Sequence, residues 1–503
     1  MLTFTDFLLR IFSSKLRISI FFLISSYYVF IFFYQKNNFA HHLDINVDYI
    51  YLILMLNVSP FIIFLSNKDE RKNLPIFYLT LVYFLFSYTF YLLFSSFTLF
   101  FYTPVDINGY NAVTDGNVYN HVIYAKELAK FIKHHDYSNE VFLLGLFSYN
   151  LGYFLFFKFI KKSRDGFKIL RINNKELIIL GLLTLIAVIF FYYIINLPEY
   201  INGTQQLKFP LLYISYGALV LYIFNNKKKI SIYFLFLIYL LILIPMIGDL
   251  LNGSYFLPFF SIFLIFTFYF YLDQKINNKS LILFILVILI SFVIFGTKGE
   301  FRAKTWYKSN IDTKEKIFIY KNEISSGINN LNFIEDTFLS RIYHSYGSLL
   351  IVTKLSPEKV DFWKGESYKI LASKIIPRVF WKNKPSDELG NKFGHRYGEL
   401  NLTDKNTSWN MPVLNEFYVN YGSWGVGIGM FLLGILFRFL STSFSIKDNN
   451  NIEKVISFFI LIPLFFLESH LSLLFGVVIQ SYIFLIILFI LYKKVFKFFK
   501  IIQ

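Results

Sequence analysis

Long apolar runs separated by short polar segments dominate the pattern of this sequence. A helix of about twenty apolar residues crosses the roughly 30 Å hydrocarbon core of a bilayer, and runs of this kind predict about twelve membrane-spanning helices. Their approximate bounds are 17–34, 47–66, 75–101, 140–160, 177–196, 208–224, 230–250, 255–272, 281–296, 412–440, 454–471 and 473–492. If either 281–296 or 473–492 did not cross the membrane, the segments after it would lie on the opposite side.

Two long polar stretches interrupt these runs, at residues 102–139 and 297–411. The longer one lies between the ninth and the tenth predicted helices. We therefore expect an all-α polytopic integral membrane protein in three parts. They are a transmembrane bundle over 1–296 with 102–139 as its first outer loop, a large outer loop over 297–411, and C-terminal transmembrane helices over 412–503.

The short loops between the apolar runs are basic. They read "NKDERKN" from 67, "KKSRDGFKILRINNK" from 161, "NNKKK" from 225 and "YKKVFKFFK" near the C-terminus. Because Lys and Arg collect in cytoplasmic loops, we expect both termini in the cytoplasm and both long polar stretches on the outer face. The N-terminal segment carries Arg10, Lys15 and Arg17 but no small-residue cleavage site, so we expect it to be retained.

Composition agrees with a membrane protein. The chain is 56% hydrophobic and only 16% charged, whereas about a quarter of the residues in a soluble domain are charged. The formal charge of +17 comes mostly from the short loops, where it orients helices, and we expect no nucleic-acid partner. The chain has no cysteine, which excludes a disulfide, a zinc–thiolate site and a thiol nucleophile.

Tryptophan and cations concentrate in and just after the segment 297–411. All five tryptophans lie there: Trp306, Trp363, Trp381, Trp409 and Trp424. They indicate either stacking on sugar rings or anchoring at a membrane interface. The segment also contains Arg302, Arg341, Arg378, Lys382, Lys384, Arg396 and Lys405. Outer loops usually lack this bias, so the pattern favours an anionic ligand outside the membrane, with a solvated basic surface as the alternative.

Residues 375–400, "IIPRVFWKNKPSDELGNKFGHRYGEL", predict a loop. Two prolines and the glycines at 390, 394 and 398 oppose one long helix. The loop would hold Arg378, Lys384, His395 and Arg396 near the membrane surface. Because arginine binds phosphate oxygens with a planar fork, we expect a diphosphate ligand.

The next apolar run opens with Glu416 and Asn420, four residues apart and therefore on one helical face. An ionisable residue at the end of a span must be solvated or paired, so Glu416 is either structural or lines a cavity. Gly425 and Gly429 form a G-x-x-x-G pattern, which is typical of close helix packing in lipid.

The segments "IPRVFWKNKP", the glycine-rich stretch after it and "NEFYVNYGSWGVGIG" resemble the late part of O-antigen polymerase (Wzy-like) proteins, also called oligosaccharide repeat unit polymerases. The stretch "GDLLNGS" at 248–254 also resembles a family segment, although this chain has Tyr255 where an arginine is expected. The resemblance covers mainly residues 245–435. Many spans and a large late outer loop fit the same family.

This resemblance implies a glycosyltransferase at the outer face of the bacterial cytoplasmic (inner) membrane. Such an enzyme joins polyprenyl-diphosphate-linked oligosaccharide repeat units into surface polysaccharide, either O-antigen or capsule. Cations would stabilise the diphosphate leaving group, and a carboxylate or histidine would accept the proton of the acceptor hydroxyl. No metal or other cofactor is expected. The lipid-linked oligosaccharide and the bilayer are the expected partners, and whether a chain-length regulator binds is left open.

We assign the candidate residues by role. The diphosphate and glycan candidates are Arg378, Lys384 and Arg396, then Arg341, Arg302, Trp381 and His344. The candidates for the base are Glu416 and His395, then Glu468 and His470 in "LESHLS".

Three alternatives stay open. Asp106 and Asp115 precede a predicted amphipathic helix over 117–133. Asp115 is then either the base of a single-sugar transferase that uses a polyprenyl-phosphate-sugar, or a helix cap. An O-antigen ligase would share the polymerase chemistry and differ in its acceptor. A flippase for the lipid-linked oligosaccharide is a third class, although the chain shows no evident paired halves.

Overall fold

The computed structural model describes twelve stretches of the chain and a few single positions. The stretches are 47–90, 135–155, 174–194, 205–226, 229–254, 256–273, 297–305, 311–329, 344–374, 388–400, 408–444 and 452–502, and the single positions are 286, 294, 376, 381 and 405. Within these ranges every regular element is helical, which confirms the all-α class. The predicted span 17–34 and the amphipathic helix 117–133 lie outside the described residues, and so does nearly all of 281–296.

We number the helices in chain order. The first seven are α1 (Val47–Ser66), α2 (Ile76–Phe84, continued by a π segment Leu85–Thr89), α3 (His135–Leu155), α4 (Asn174–Val188, continued by Ile189–Ile194), α5 (Gln205–Asn225), α6 (Ile232–Leu251) and α7 (Phe256–Asp273). The other eight are α8 (Lys298–Thr305), α9 (Thr313–Asn329), α10 (344–355), α11 (Glu366–Ser373), α12 (Leu389–Arg396), α13 (Val413–Ser443), α14 (Ile452–Leu461, continued by a 3-10 turn Ile462–Phe465) and α15 (Leu471–Ile502).

Among the described residues, four helical segments are long and apolar enough to cross a membrane, judged by length and composition. They are Lys175–Ile194, Lys208–Asn225, Ile232–Leu251 and Val413–Ser443. Five shorter apolar helices accompany them: Tyr51–Phe64, Ile76–Thr89, Pro258–Phe268, Ile456–Phe465 and Leu471–Ile487. All of these segments fall on apolar runs that the sequence pattern predicts as spans. The chain therefore has several helices of membrane-spanning character.

Helices α3 and α13 form a close, parallel pair. A Cβ at Gly152 would collide with the carbonyl oxygen of Phe431, and a Cβ at Gly434 would collide with the carbonyl oxygen of Tyr149. Small residues let two backbones approach closely, which is the usual way in which helices pack in lipid. Farther along the same pair, the guanidinium of Arg438 lies over the ring of Tyr153.

Helix α13 is broken near its start. Tyr421 (φ −144°, ψ 20°) and Gly422 (φ 63°, ψ −150°) leave the helical conformation. A Cβ at Gly429 would lie 2.6 Å from the ring of Phe417, although twelve residues of straight helix would separate the two positions by about 18 Å. Residues 413–420 therefore fold back on residues 423–430.

The break changes the interpretation of the G-x-x-x-G pattern. Gly425 and Gly429 do provide close packing, but their contacts are with Phe417 in the first half of the same helix. The second half, residues 423–443, spans about 30 Å by itself, enough for a bilayer core.

The segment 297–411 contributes a helix to the core. Tyr346, Leu349, Leu350 and Val352 of α10 belong to the same hydrophobic core as α2, α3 and α13. The Tyr346 hydroxyl donates to Asn139 Oδ1 at 2.5 Å, which joins α10 to α3. The apolar run "YGSLLIV" supplies the core-facing side chains of this helix.

The loop predicted over 375–400 contains the short helix α12. Its two glycines do not break it. A Cβ at Gly390 would collide with Ser408 Oγ, and one at Gly394 would lie 3.1 Å from the Cβ of Trp409. Because these glycines have no side chain, residues 408–409 can pack directly against α12, and the Trp409 amide donates to the Gly390 carbonyl.

One buried and one partly buried ion pair join segments that are distant in sequence. Arg438 of α13 contacts Glu70 at 2.7 Å, and Tyr153 also donates to this carboxylate. Lys208 of α5 contacts Asp249 of α6 at 2.5 Å. A buried charge must be paired, so each pair defines how its helices sit against each other.

Candidate functional site

Glu416 ties the start of α13 to the start of α15. Its side chain is fully buried, and its Oε2 accepts a hydrogen bond from the Leu471 amide at 2.7 Å. Leu471 is the first residue of α15, where the amide has no acceptor inside the helix and the helix dipole favours a negative charge. The carboxylate thus stabilises the N-terminus of another helix.

His470 and Glu468 lie in the turn that precedes α15. His470 Nδ1 accepts a hydrogen bond from the Leu473 amide at 3.3 Å and lies 2.9 Å from Ser472 Oγ. Because Nδ1 is an acceptor here, the neutral ring carries its proton on Nε2. Glu468 is buried and accepts a hydrogen bond from Asn410 Nδ2 at 3.1 Å.

Asn420 links Glu416 to a segment far away in the sequence. Its Nδ2 donates to the Glu416 carbonyl oxygen at 2.7 Å and to Ser367 Oγ at 2.9 Å. Its Oδ1 accepts a hydrogen bond from the Gly365 amide at 2.9 Å. The bond between Asn420 and Glu416 confirms that they share one helical face, as their spacing predicts.

Residues 361–374, which we call the cover segment, lie against the break in α13. The amides of Trp363 and Lys364 donate to the carbonyl oxygens of Val419 and Asn420 at 2.8 and 3.2 Å. These two carbonyls lie at the end of the first half of α13, where the break removes the helical amides that would otherwise donate to them. The cover segment therefore caps this helical half.

Unusual backbone conformations cluster at this contact. Lys364 has φ 49°, Gly365 has φ 87° and Gly422 has φ 63°. A Cβ at Gly365 would lie 2.7 Å from the Tyr421 hydroxyl, and one at Gly422 would lie 3.0 Å from the Phe362 ring. Glycine is therefore needed on both sides. Such conformations persist only where the surroundings impose them, and they are frequent at functional sites.

Arg396, at the end of α12, holds the outside of the cover segment. Its Nη2 donates to the Asp361 carbonyl oxygen at 2.6 Å, and its guanidinium lies 5.8 Å from the centre of the Trp363 ring. Arg396 is exposed, whereas Trp363 is 7% exposed. The ring of Trp363 is therefore covered and does not offer a free face for stacking on a sugar.

Three ring nitrogens near this site are buried. The indole nitrogens of Trp363 and Trp409 and Nδ1 of His395 are buried, and none has a hydrogen-bond partner within the described part of the chain. The ring of Trp409 also contacts His344, with centroids 5.1 Å apart. Trp381 is partly exposed, and Trp424 is strongly exposed.

The negative charge of Glu416 acts on Tyr368 of the cover segment. Burial, then the negative charge of Glu416 and the neighbouring Tyr421, raise the pKa of the Tyr368 phenol well above its ordinary value. The phenol therefore stays neutral and can donate a hydrogen bond throughout the physiological pH range.

The structure places the predicted residues in two groups and leaves others apart. Glu416, Glu468 and His470 surround the start of α15, and His344 lies beside Trp409, the neighbour of Asn410. His395 and Arg396 are together at the end of α12. Arg302 lies elsewhere, with Nε and Nη2 both donating to the Gly253 carbonyl oxygen. Arg341, Arg378, Lys384, Asp106 and Asp115 are outside the described residues.

Sequence reasoning missed the cover segment. Its residues "DFWKGESYKILASK" carry no motif, and only Gly365, between polar neighbours, indicates a turn. The break in α13 had a comparable signal in Tyr421–Gly422, because an isolated glycine inside a helical pattern can mark a break.

The arrangement offers buried proton acceptors and an exposed cation. Glu416 and Glu468 can accept protons, and Arg396 can bind anionic oxygens. In the described ranges, no group of three or more His, Asp or Glu side chains is placed to hold a metal ion.

A protein-family model described as "Domain of unknown function (DUF8712)" matches residues 47–503. Since this match covers most of the chain, the protein belongs to that family. No curated protein and no solved structure matches the sequence.

Proposed function

We propose that this member of the DUF8712 family is a membrane glycosyltransferase that polymerises polyprenyl-diphosphate-linked oligosaccharide repeat units into surface polysaccharide. One observation carries the proposal. The exposed Arg396 contacts Asp361 and Trp363, and the Trp363 and Lys364 amides cap the helical half that carries Glu416. A surface cation and a buried carboxylate thereby belong to one structural unit.

The reaction needs these two kinds of group. The oxygen of an acceptor hydroxyl attacks the anomeric carbon of the growing chain. The bond from that carbon to the diphosphate oxygen breaks, and polyprenyl diphosphate leaves with the bonding electrons. The hydroxyl proton passes to a base. Cations next to the leaving group stabilise the charge that develops on it.

Arg396 is the described residue best suited to the diphosphate. A guanidinium has five N–H donors, and one of those of Arg396 is used on Asp361. Arg378, Lys384 and Arg341 are proposed for the same role, and Trp381 and His344 for the glycan. Arg302 has a weaker claim, since two of its donors are committed to Gly253.

Glu416 and His395 are the two proposed bases. Glu416 is supported by its position beside Tyr368 and Asn420. His395 is supported by its buried Nδ1 and by Arg396, its neighbour in the chain. Glu468 and His470 rank lower. Glu468 is bound by Asn410 and His470 Nδ1 by the Leu473 amide, whereas Glu416 lies on the helical half that the cover segment caps.

The proposed location is the outer face of the bacterial cytoplasmic membrane, with both termini in the cytoplasm. The basic short loops support this orientation. On that topology, the start of α13 and the turn before α15 both lie at the outer face, where the lipid-linked substrate would be presented.

The test is a gel of lipid-linked and surface glycans from cells in which the gene is deleted. Complementation uses the wild type, Arg396→Ala and, as the matched control, Lys392→Ala. Lys392 is exposed on the same helix, one turn before Arg396. We expect the deletion to reduce the ladder to one repeat unit, and we expect Lys392→Ala but not Arg396→Ala to restore it.

Other outcomes assign other functions. Truncation within the repeat unit would indicate a single-sugar transferase, with Asp115 as its base. Loss of transfer to the final acceptor, with polymer still made, would indicate a ligase. Repeat units trapped on the cytoplasmic side would indicate a flippase, and an unchanged ladder would refute a role in glycan assembly.

A further inference from the structure

The proposed base is sealed in this structure. Glu416, Asn420 and Ser367 are each 0% exposed. An acceptor hydroxyl must come within hydrogen-bond distance of the base that takes its proton. If Glu416 is that base, part of the protein has to move before each reaction.

The cover segment is the part that lies over Glu416. Ser367 contacts Asn420, and Tyr368 lies within electrostatic range of the Glu416 carboxylate. Four hydrogen bonds attach the cover segment to α13. Three are donated by the backbone amides of Trp363, Lys364 and Gly365, and the fourth is accepted by Ser367 Oγ from Asn420. At its far end, the Lys374 side chain packs on Gly476 of α15.

The closed conformation of the cover segment carries internal costs. Lys364 is the one residue other than glycine with a positive φ among those that the structure describes. The buried indole N–H of Trp363 has no acceptor among the described residues. Both costs disappear if the segment lifts, because the backbone can then relax and water can reach the indole.

Two side chains of α12 contact the outside of the cover segment: Lys392 forms an exposed ion pair with Glu366 at 3.7 Å, and Arg396 makes the closer contacts. Arg396 holds it through the Asp361 carbonyl oxygen and the Trp363 ring. A diphosphate is a stronger partner for a guanidinium than a neutral carbonyl oxygen is. An anion bound at Arg396 would therefore compete directly with both contacts.

We propose that the cover segment is a lid over Glu416, and that an anionic diphosphate bound by Arg396 releases it from the break in α13. This inference rests on the proposed function, since it gives the diphosphate of the substrate a second role. Binding of the donor then opens the path by which the acceptor hydroxyl reaches the base. The buried carboxylate stays closed to solvent until the donor is present.

The test uses the absence of cysteine from this chain. A single Ser367→Cys change places a small thiol beneath the lid, and Lys364→Cys places one on its exposed surface as the control. Both are labelled in membrane vesicles with a water-soluble maleimide, with and without added inorganic pyrophosphate or polyprenyl diphosphate. Thermal unfolding of each purified variant in detergent, which needs no glycan activity, shows that it folds.

We expect Lys364→Cys to react quickly in every condition and Ser367→Cys to react slowly without anion. Arg396→Gln in the Ser367→Cys background should raise the labelling rate roughly tenfold, because it removes a charge-assisted hydrogen bond and a cation–π contact. Added diphosphate should produce a similar increase. Lys392→Ala removes only an exposed ion pair from α12 to Glu366, of 3.7 Å, and should change the rate little.

Several results would overturn the proposal. One is equal labelling of Ser367→Cys and Lys364→Cys without anion. Another is a Ser367→Cys rate that neither Arg396→Gln nor diphosphate changes. Labelling does not depend on glycan synthesis, so the two proposals fail separately. An unchanged glycan ladder with anion-dependent labelling would refute the polymerase and keep the lid, whereas a collapsed ladder with constant labelling would do the reverse.

Discussion

Replacing Gly422 by alanine tests whether α13 is broken as the structure describes. Gly422 has φ 63° and ψ −150°, a region that is essentially restricted to glycine. The added Cβ would also lie 3.0 Å from the Phe362 ring of the cover segment. The backbone conformation alone costs about 1–3 kcal/mol for a residue with a Cβ. We therefore expect Gly422→Ala to destabilise the protein by about 2 kcal/mol or more.

Gly427 is the matched control, five positions later in the same helix. Its backbone is helical, and a Cβ there would meet only Leu144, at 3.8 Å, an ordinary contact distance. Alanine is favoured over glycine inside a helix by up to about 1 kcal/mol. Gly427→Ala should therefore leave the stability unchanged or raise it, whereas the same chemical change at Gly422 should lower it.

Thermal unfolding of the purified protein in detergent, followed by circular dichroism, measures both variants. The glycan ladder of complemented cells provides a second reading, because a straightened α13 would carry Glu416 away from Leu471. A Gly422→Ala protein as stable as the wild type would refute the break. So would a larger loss of stability in Gly427→Ala than in Gly422→Ala.

Three further predictions concern the buried contacts. Glu70→Gln leaves the Arg438 guanidinium buried without its counter-charge and should cost about 3–5 kcal/mol, measured as a lower melting temperature; a melting temperature within error of the wild type would contradict this. Gly434→Ala forces a Cβ against the Tyr149 carbonyl, so it should loosen the α3–α13 pair and speed limited proteolysis, with Gly427→Ala unaffected. Glu416→Gln keeps an oxygen for the Leu471 amide but removes the charge and the proton acceptor, so it should lower the melting temperature only slightly and abolish the glycan ladder. A normal ladder would exclude Glu416 as the base.

The apolar runs illustrate what local pattern could predict. The helices α4, α5 and α6 fall on predicted spans, because twenty apolar residues in succession need no distant partner to specify a helix in lipid. The bond from Asn420 to Glu416 was predictable for the same reason, since residues four apart share a helical face wherever the helix lies.

Other features depend on contacts between distant parts of the chain. The 344–355 segment lies within a long stretch that the sequence predicts as an outer loop, and only the structure shows that α10 packs with α2, α3 and α13 in one core and bonds to Asn139. From the sequence, Gly390 and Gly394 are expected to oppose a long helix. In the structure they lie within α12, where residues 408–409 pack closely against them.

The sequence by itself determined the all-helical class, the membrane character of the long apolar runs and the shared face of Glu416 and Asn420. Each of these follows from residues within a few turns of one another. Tertiary structure alone decided that α13 breaks at Gly422, that Glu416 caps α15 and that the cover segment binds the carbonyls at the break. Most of these contacts use backbone amides or carbonyls, which nearly every residue carries, so no local pattern can indicate which of them will pair across the fold.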